Sequence, residues 1–155
     1  MPTADRRIFV PQGIKYFRSQ DYKNKELVIV DDGVESVADL VPDDPQIRYI
    51  RLHGKRSLGA KRNECVEACR SDLIMHWDDD DWMAPYRISY QVEALLREDA
   101  EVCGLQRMLF YDIDRNEVWL YQYPDNQCPW LAGGSLLYTR DFWRRSPFPN
   151  IQVAS

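Results

Sequence analysis

No stretch of this 155-residue chain is apolar for long enough to cross a membrane. The longest runs, such as 26–30 (Glu-Leu-Val-Ile-Val) and 73–77, are of strand length. No secretory leader is expected either, because Met1 is followed by Pro2, Thr3 and two arginines where an apolar segment would stand. There are no internal repeats, no low-complexity tract and no Gly/Ser linker, which argues against several domains joined in series. Cysteine is sparse: Cys65, Cys69, Cys103 and Cys128. An even number suits two disulfides, but nothing marks the chain for export, so reduced thiols and a cytoplasmic setting are expected. Cys65 and Cys69, four apart on an expected helix and near His53 and His76 in sequence, make a zinc site conceivable. Buried structural cysteines on a helix face are commoner. The net charge of −5 argues against a nucleic-acid scaffold.

What is present fits one soluble globular domain. The residues are 45% hydrophobic and 29% charged, with both signs interspersed. A domain of this length buries roughly two-thirds of its unfolded surface and needs no metal or disulfide to fold. Helix-like and strand-like segments alternate through the first two-thirds, the pattern of an α/β domain with a largely parallel sheet. The expected helices are 11–20, 58–70 and 85–97, with Pro11 and Pro85 in first turns. The expected strands are 26–30, 47–52 and 72–77. From Val102 the pattern changes to strands separated by turns, at 102–111, 118–123 and 136–139, which reads as an antiparallel or mixed extension. Asp141 reads as a helix N-cap. Met1-Pro2-Thr3 resembles the exit of a strand, and 150–155 carries no helix cap or polar tail, as at the ends of a small protein or at cuts in a longer one.

The chemistry concentrates at expected strand ends. Asp78–Asp81 are four consecutive aspartates flanked by Trp77 and Trp82. If the chain stays extended, Asp78 and Asp80 project to one side and offer two hard oxygen ligands to Mg²⁺ or Mn²⁺. A cation would also relieve the mutual repulsion of the carboxylates. An EF-hand is excluded by Met83 at the loop position that demands glycine. Asp31-Asp32-Gly33 and Pro2-Thr3 lie at two other strand ends, and ligands of open α/β sheets bind beyond such ends. Lys55, Arg56, Lys61 and Arg62 surround a helix start, where free N–H groups favour a diphosphate.

Taken together, these segments resemble family 2 glycosyltransferases of the GT-A fold. Pro2-Thr3-Ala4-Asp5-Arg6 is similar to the family's Pro-Thr-Tyr-Asn-Arg segment, and 26–33 to its strand ending in Val-Asp-Asp-Gly. Gly59-Ala60-Lys61-Arg62-Asn63 resembles its Gly…Ala-Arg-Asn helix start, and Trp77–Trp82 carries its Asp-x-Asp pattern. Ala132-Gly133-Gly134-Ser135 matches more loosely.

The resemblance implies a Rossmann-type mixed sheet flanked by helices, forming one GT-A-like domain over 1–155 that is expected to be incomplete. Residues 1–98 would bind nucleotide and 99–155 would begin the acceptor side. It implies a metal-dependent, inverting transfer from a nucleoside diphosphate sugar, most often a UDP-sugar, to a saccharide, lipid or protein acceptor. Nucleotide contacts would come from Pro2, Thr3, Asp31, Asp32, Arg56, Lys61, Asp78 and Asp79, and metal contacts from Asp80 and Asp78. Trp130, Gly133 and Gly134 would face the acceptor, with Trp130 as a stacking platform. Two departures stand out. Ala4 replaces the family aromatic that covers the base, and the acidic motif that deprotonates the acceptor belongs beyond Ser155. The rival expectation is therefore a relative that binds nucleotide and metal without turnover. A nucleotidyltransferase fits less well, for want of a Gly-rich phosphate loop with an early lysine.

Overall fold

The computed structural model describes residues 1–124, 126 and 130–151. Its first half is a parallel three-stranded sheet. β1 (Pro2–Thr3) pairs with the end of β2 (Leu27–Asp31), and β2 pairs along its length with β3 (Ile47–Arg51). β2 is buried at all five positions, as a central strand covered on both faces must be. α1 (Val10–Arg18) begins with Pro11 in its first turn and turns Val10, Ile14 and Phe17 into the core, the spacing of one helix face. α2 (Leu58–Ala68) is N-capped by Ser57, whose hydroxyl accepts the Ala60 N–H at 3.2 Å.

The later strands do not extend the parallel sheet. β4 (Leu73–Met75) and β5 (Val102–Cys103) flank β8 (Leu137–Thr139), both antiparallel to it. α3 (Arg87–Arg97) packs Val92 and Leu95 against Leu137. The expected strand 102–111 divides at Gly104–Gln106 into β5 and β6 (Arg107–Asp112), and among the described residues β6 pairs only with β7 (Glu117–Gln122). A side chain at Gly104 would meet Leu131 Cβ at 3.2 Å and Leu136 Cδ2 at 3.3 Å, so the break sits where the 130–136 segment needs close approach. α4 (Arg140–Arg145) is capped by Thr139, which accepts the Phe142 N–H at 3.1 Å, and not by Asp141.

The edge of β2 beyond β1 and the free edge of β4 face one cavity of about 680 Å³, lined by residues that include Val28, Cys65, Ile74 and Tyr138. The Met1 ammonium reaches into it and donates to Val28 O at 2.8 Å, so the β1–β2 ladder persists to the first residue. The carboxyl ends of β1, β2 and β4 lie to the same side of this cavity and position the candidate site.

Asp31 anchors that edge. It is fully buried and accepts the N–H groups of Gly33 (2.9 Å) and Val37 (3.1 Å), the Tyr49 hydroxyl (2.8 Å) and Arg51 Nη1 (2.7 Å). Burial pushes its carboxyl up, but these four donors together hold it below the usual range.

Replacing Asp31 with alanine should destabilise the fold by about 2–5 kcal/mol, because the Gly33 and Val37 N–H groups and the Tyr49 hydroxyl lose their acceptor. In urea titrations the parent's advantage should be full above the ordinary carboxylate range and fade as pH falls through the lowered Asp31 value. Extending β1 with four apolar residues ahead of Met1 should fill the cavity and raise Tm by at least about 4 °C. An unchanged Tm would show that the cavity does not accept a strand.

Candidate active site

The site grows from three strand ends linked by side-chain bonds. Thr3, the last residue of β1, donates from Oγ1 to Asp79 Oδ2 at 2.8 Å, and its carbonyl accepts from Lys61 Nζ at 3.4 Å. Lys61 Nζ also donates to Asp32 Oδ1 at 2.7 Å, and the Arg56 backbone N–H donates to Asp32 Oδ2 at 2.6 Å. Thr3, Asp32, Lys61 and Asp79 are all buried. One chain of polar contacts therefore runs from α2 through the ends of β2 and β1 to the loop after β4.

Glycine permits the close approaches. A side chain at Gly33 would fall 2.5 Å from the Asp5 backbone nitrogen, so the loop after β2 can press against the loop after β1 only with glycine there. Asp5 itself adopts φ 56°, a left-handed conformation that aspartate tolerates, and its carboxylate accepts the Val34 N–H. A side chain at Gly134 would fall 2.7 Å from Asp78 Oδ2 and 3.2 Å from Asp81 Oδ2.

The aspartates divide differently from the alternation expected of an extended strand. Residues after Met75 leave the strand and bend at Asp79–Asp81, so Asp78 and Asp81 turn toward Gly134 while Asp79 and Asp80 turn toward Arg6. Arg6 Nε lies 3.3 Å from Asp79 Oδ1, and Arg6 Nη2 donates to Asp80 Oδ2. Burial raises the carboxyl of Asp79, and the adjoining charges of Asp78 and Asp80 add to the effect against Thr3 and Arg6. Burial likewise raises Asp81. These carboxylates carry repulsion that a cation would relieve.

Among the described residues no group of three or more His, Cys, Asp or Glu is arranged as a metal cage. Mg²⁺ and Mn²⁺ do not require one, since one or two carboxylates suffice when phosphate and water supply the other ligands. The half-exposed Asp80 carboxylate, the bare Gly134 surface over Asp78 and an all-oxygen donor set fit such an ion.

Other expected residues fall into distinct places. Asp31 lies at the same edge, but its carboxylate is turned inward to the loop and to β3. Pro2 pairs with Val30 in the sheet, and the Arg56 side chain is exposed beside the cleft. Gly133 accepts His76 Nδ1 through its carbonyl, directly behind the aspartates. Trp130 stacks on Tyr123 at 5.2 Å with an interplanar angle of 17°, so one indole face is covered. Trp77 is core, donating to Gly13 O at 3.0 Å, whereas Trp82 is exposed at the rim. His76, held near pKa 3 by burial and nearby cations, faces Gly133 O and Tyr138 Oη with its two nitrogens. Burial pushes the Cys69 thiol up to about 11. Cys128 lies outside the described residues.

Two residues escaped the sequence reading. Arg6 is one, though its place in the Pro-Thr-x-x-Arg segment was a signal. The other is Arg87, a half-buried guanidinium that donates to His76 O at 3.1 Å and Gly134 O at 2.9 Å and lies 5.5 Å from the Trp77 ring centre. Nothing in its sequence surroundings marks it among twenty basic residues.

Comparison with known proteins bears on the family and the fold. The family model for glycosyl transferase family 2 matches residues 1–152. An uncharacterized glycosyltransferase of Haemophilus influenzae is 26% identical over 125 residues, covering 77% of this chain and 50% of that protein. Residues 1–349 of S. aureus TarS, solved with UDP, superpose with TM-score 0.74 at 12% identity, covering 96% of this chain and 48% of that one. A mannosyltransferase of Pyrobaculum calidifontis, solved with GDP-Man and Mn²⁺, superposes with TM-score 0.75 at 15% identity, covering 96% of this chain and 46% of that one. The chain thus spans about half the length of these proteins. Both superpositions are of GT-A glycosyltransferases, and the mixed α/β fold of this chain is theirs.

Thr3→Val keeps the shape of the side chain and removes the donor to buried Asp79. It should lower stability by about 1–3 kcal/mol in urea titrations at neutral pH. The loss should shrink on acidification, because Asp79 takes up a proton early and a neutral carboxyl depends less on the hydroxyl.

Proposed function

This chain belongs to glycosyl transferase family 2, and from that premise we propose that it forms the donor side of a metal-dependent, inverting glycosyltransferase. The donor is a nucleoside diphosphate sugar, with UDP as its nucleotide, and the acceptor is a saccharide, lipid or protein. The observation that carries the reading is the continuous contact chain Asp32–Lys61–Thr3–Asp79, which draws three strand ends around the exposed carboxylate of Asp80. Open α/β sheets bind their ligands at such an edge.

Each residue has a part. Asp32, fixed by Lys61 and the Arg56 N–H, faces the nucleoside, while buried Asp31 shapes the loop that presents it. Pro2 and Thr3 floor the pocket, and the exposed Arg56 side chain approaches the phosphates. Asp78 and Asp79 border the ribose and diphosphate. Asp80 would hold Mn²⁺ or Mg²⁺, while Asp78 lies on the Gly134 side of the bend. When bound, that ion supplies positive charge against the negative charge that develops on the departing diphosphate. The acceptor side begins with 99–155, where Gly134 presses on Asp78 and Asp81 beside Gly133, and Trp130, packed by Tyr123 and Tyr121, borders the sugar.

Nucleotide and metal binding without transfer is a second reading, and one observation favours it. Two acids of the later segment, Asp141 and Asp112, are committed elsewhere. Asp141 pairs with Arg144 at 2.7 Å, and Asp112 accepts the Asp114 and Arg115 N–H groups in the β6–β7 turn.

Calorimetry of UDP binding with Mn²⁺ present tests the proposal. Asp80→Ala should weaken UDP by at least about tenfold, the lower bound found even for outer-shell partners of a metal. Equal binding by parent and variant would contradict the metal assignment. Tight GDP binding with no UDP binding would overturn the choice of base while leaving the diphosphate reading intact.

A further inference from the structure

Arg6 stands where the cation of the preceding reading would have to enter, and its surroundings differ from those of every other cation at the site. Lys61 is buried and held by Asp32 and the Thr3 carbonyl. Arg87 is held by two backbone carbonyls behind the aspartates. Arg6, by contrast, has a side chain 41% exposed, and its guanidinium touches Asp79, Asp80 and, at 5.0 Å, the face of Phe9. Two of its partners are the acids that border the cation position, and the third is a ring that holds it loosely.

We propose that Arg6 is an exchangeable counter-ion: it closes the Asp79–Asp80 pair in the absence of nucleotide, yields Asp80 to the divalent cation, and then turns its guanidinium to the incoming diphosphate. This rests on the reading of Asp80 as the metal ligand. The physical basis is competition for one oxygen. Arg6 Nη2 donates to Asp80 Oδ2, so a divalent cation approaching that oxygen meets a guanidinium charge already seated on it, and the two positive charges compete for one carboxylate. Exchange is easy because the pair is half-exposed on both sides, where ion pairs contribute little. Asp79 does not leave with Arg6, since Thr3 fixes its other oxygen at 2.8 Å. Once released, Arg6 remains on the loop between β1 and α1, beside the aspartates. Its planar fork of N–H donors matches phosphate oxygens in a way that a point charge does not.

The signature is a pair of effects of opposite sign. With Mn²⁺ alone as probe, followed by electron paramagnetic resonance of the free ion, Arg6→Ala should bind up to about fivefold tighter than the parent, the reach of an exposed ion pair. With UDP added at saturating Mn²⁺, the same variant should bind UDP more weakly than the parent, by about tenfold for one lost charge-assisted contact. Arg6→Lys should restore parent-like Mn²⁺ binding, because it keeps the charge, but should recover UDP affinity only in part. Circular dichroism checks that each variant is folded. Arg6→Ala with unchanged Mn²⁺ affinity, or with both affinities moving in the same direction, would overturn the inference. Asp80→Ala is the control that separates the two claims. If it leaves Mn²⁺ binding intact, the metal assignment itself has failed. If it abolishes Mn²⁺ binding while Arg6→Ala matches the parent, only the role of Arg6 has failed.

Discussion

The buried ion pair between Lys61 and Asp32 is the interaction on which the site depends. A carboxylate and an ammonium both withdrawn from water are costly to hold, and each is acceptable only because the other is 2.7 Å away. Lys61 also reaches the carbonyl of Thr3, whose hydroxyl secures Asp79. A single ammonium therefore sets the spacing between α2, the exit of β2 and the exit of β1, and through Thr3 it reaches the aspartate loop. Burial of this chain makes it stiff, so Asp80 and Arg6, at its solvent end, are presented from a fixed frame. The arrangement puts rigidity beneath the ligand and leaves mobility only where exchange is needed.

Much of the first half was legible in the sequence. β2 is a run of apolar residues between polar ones, α1 has its apolar residues at helical spacing with a proline in the first turn, and α2 announces its start with Ser57. These are local signals, and local geometry decides them. The division of the later strands was not legible. The 102–111 stretch is rich in strand formers, and the break at Gly104 comes from a close approach by Leu131 and Leu136, about thirty residues away in sequence. The antiparallel docking of β8 between β4 and β5 is likewise a tertiary outcome that no periodicity encodes.

The candidate site shows the same split. Its residues come from the strand-end clusters that the sequence singled out, because polar residues directly after a buried strand have nowhere else to go. Their individual jobs depended on neighbours. Asp31 and Asp32 are adjacent and chemically identical, yet the register Asp31↔Arg51 ties one to β3 and its own loop, while Lys61 and the Arg56 N–H engage both oxygens of the other and tie it to α2 and the segment before it. Lys61, expected beside the nucleotide, is held in a buried pair with Asp32. The expectation that Asp78 and Asp80 share a side assumed an extended chain, and the bend after the strand pairs Asp79 with Asp80 across Arg6 instead. Glycine was the under-read signal, since Gly33 and Gly134 mark the two places where other residues press against the acidic loops.

The central claim is that this carboxyl edge gathers a divalent ion and a diphosphate at Asp80. Anomalous diffraction from crystals grown with UDP and Mn²⁺ tests it without reference to turnover. The account predicts a manganese peak within about 2.0–2.2 Å of an Asp80 carboxylate oxygen, with the UDP phosphates on its far side and Arg6 withdrawn from that oxygen. A manganese peak bound elsewhere, or UDP seated away from the Asp32–Asp80 edge, would contradict it.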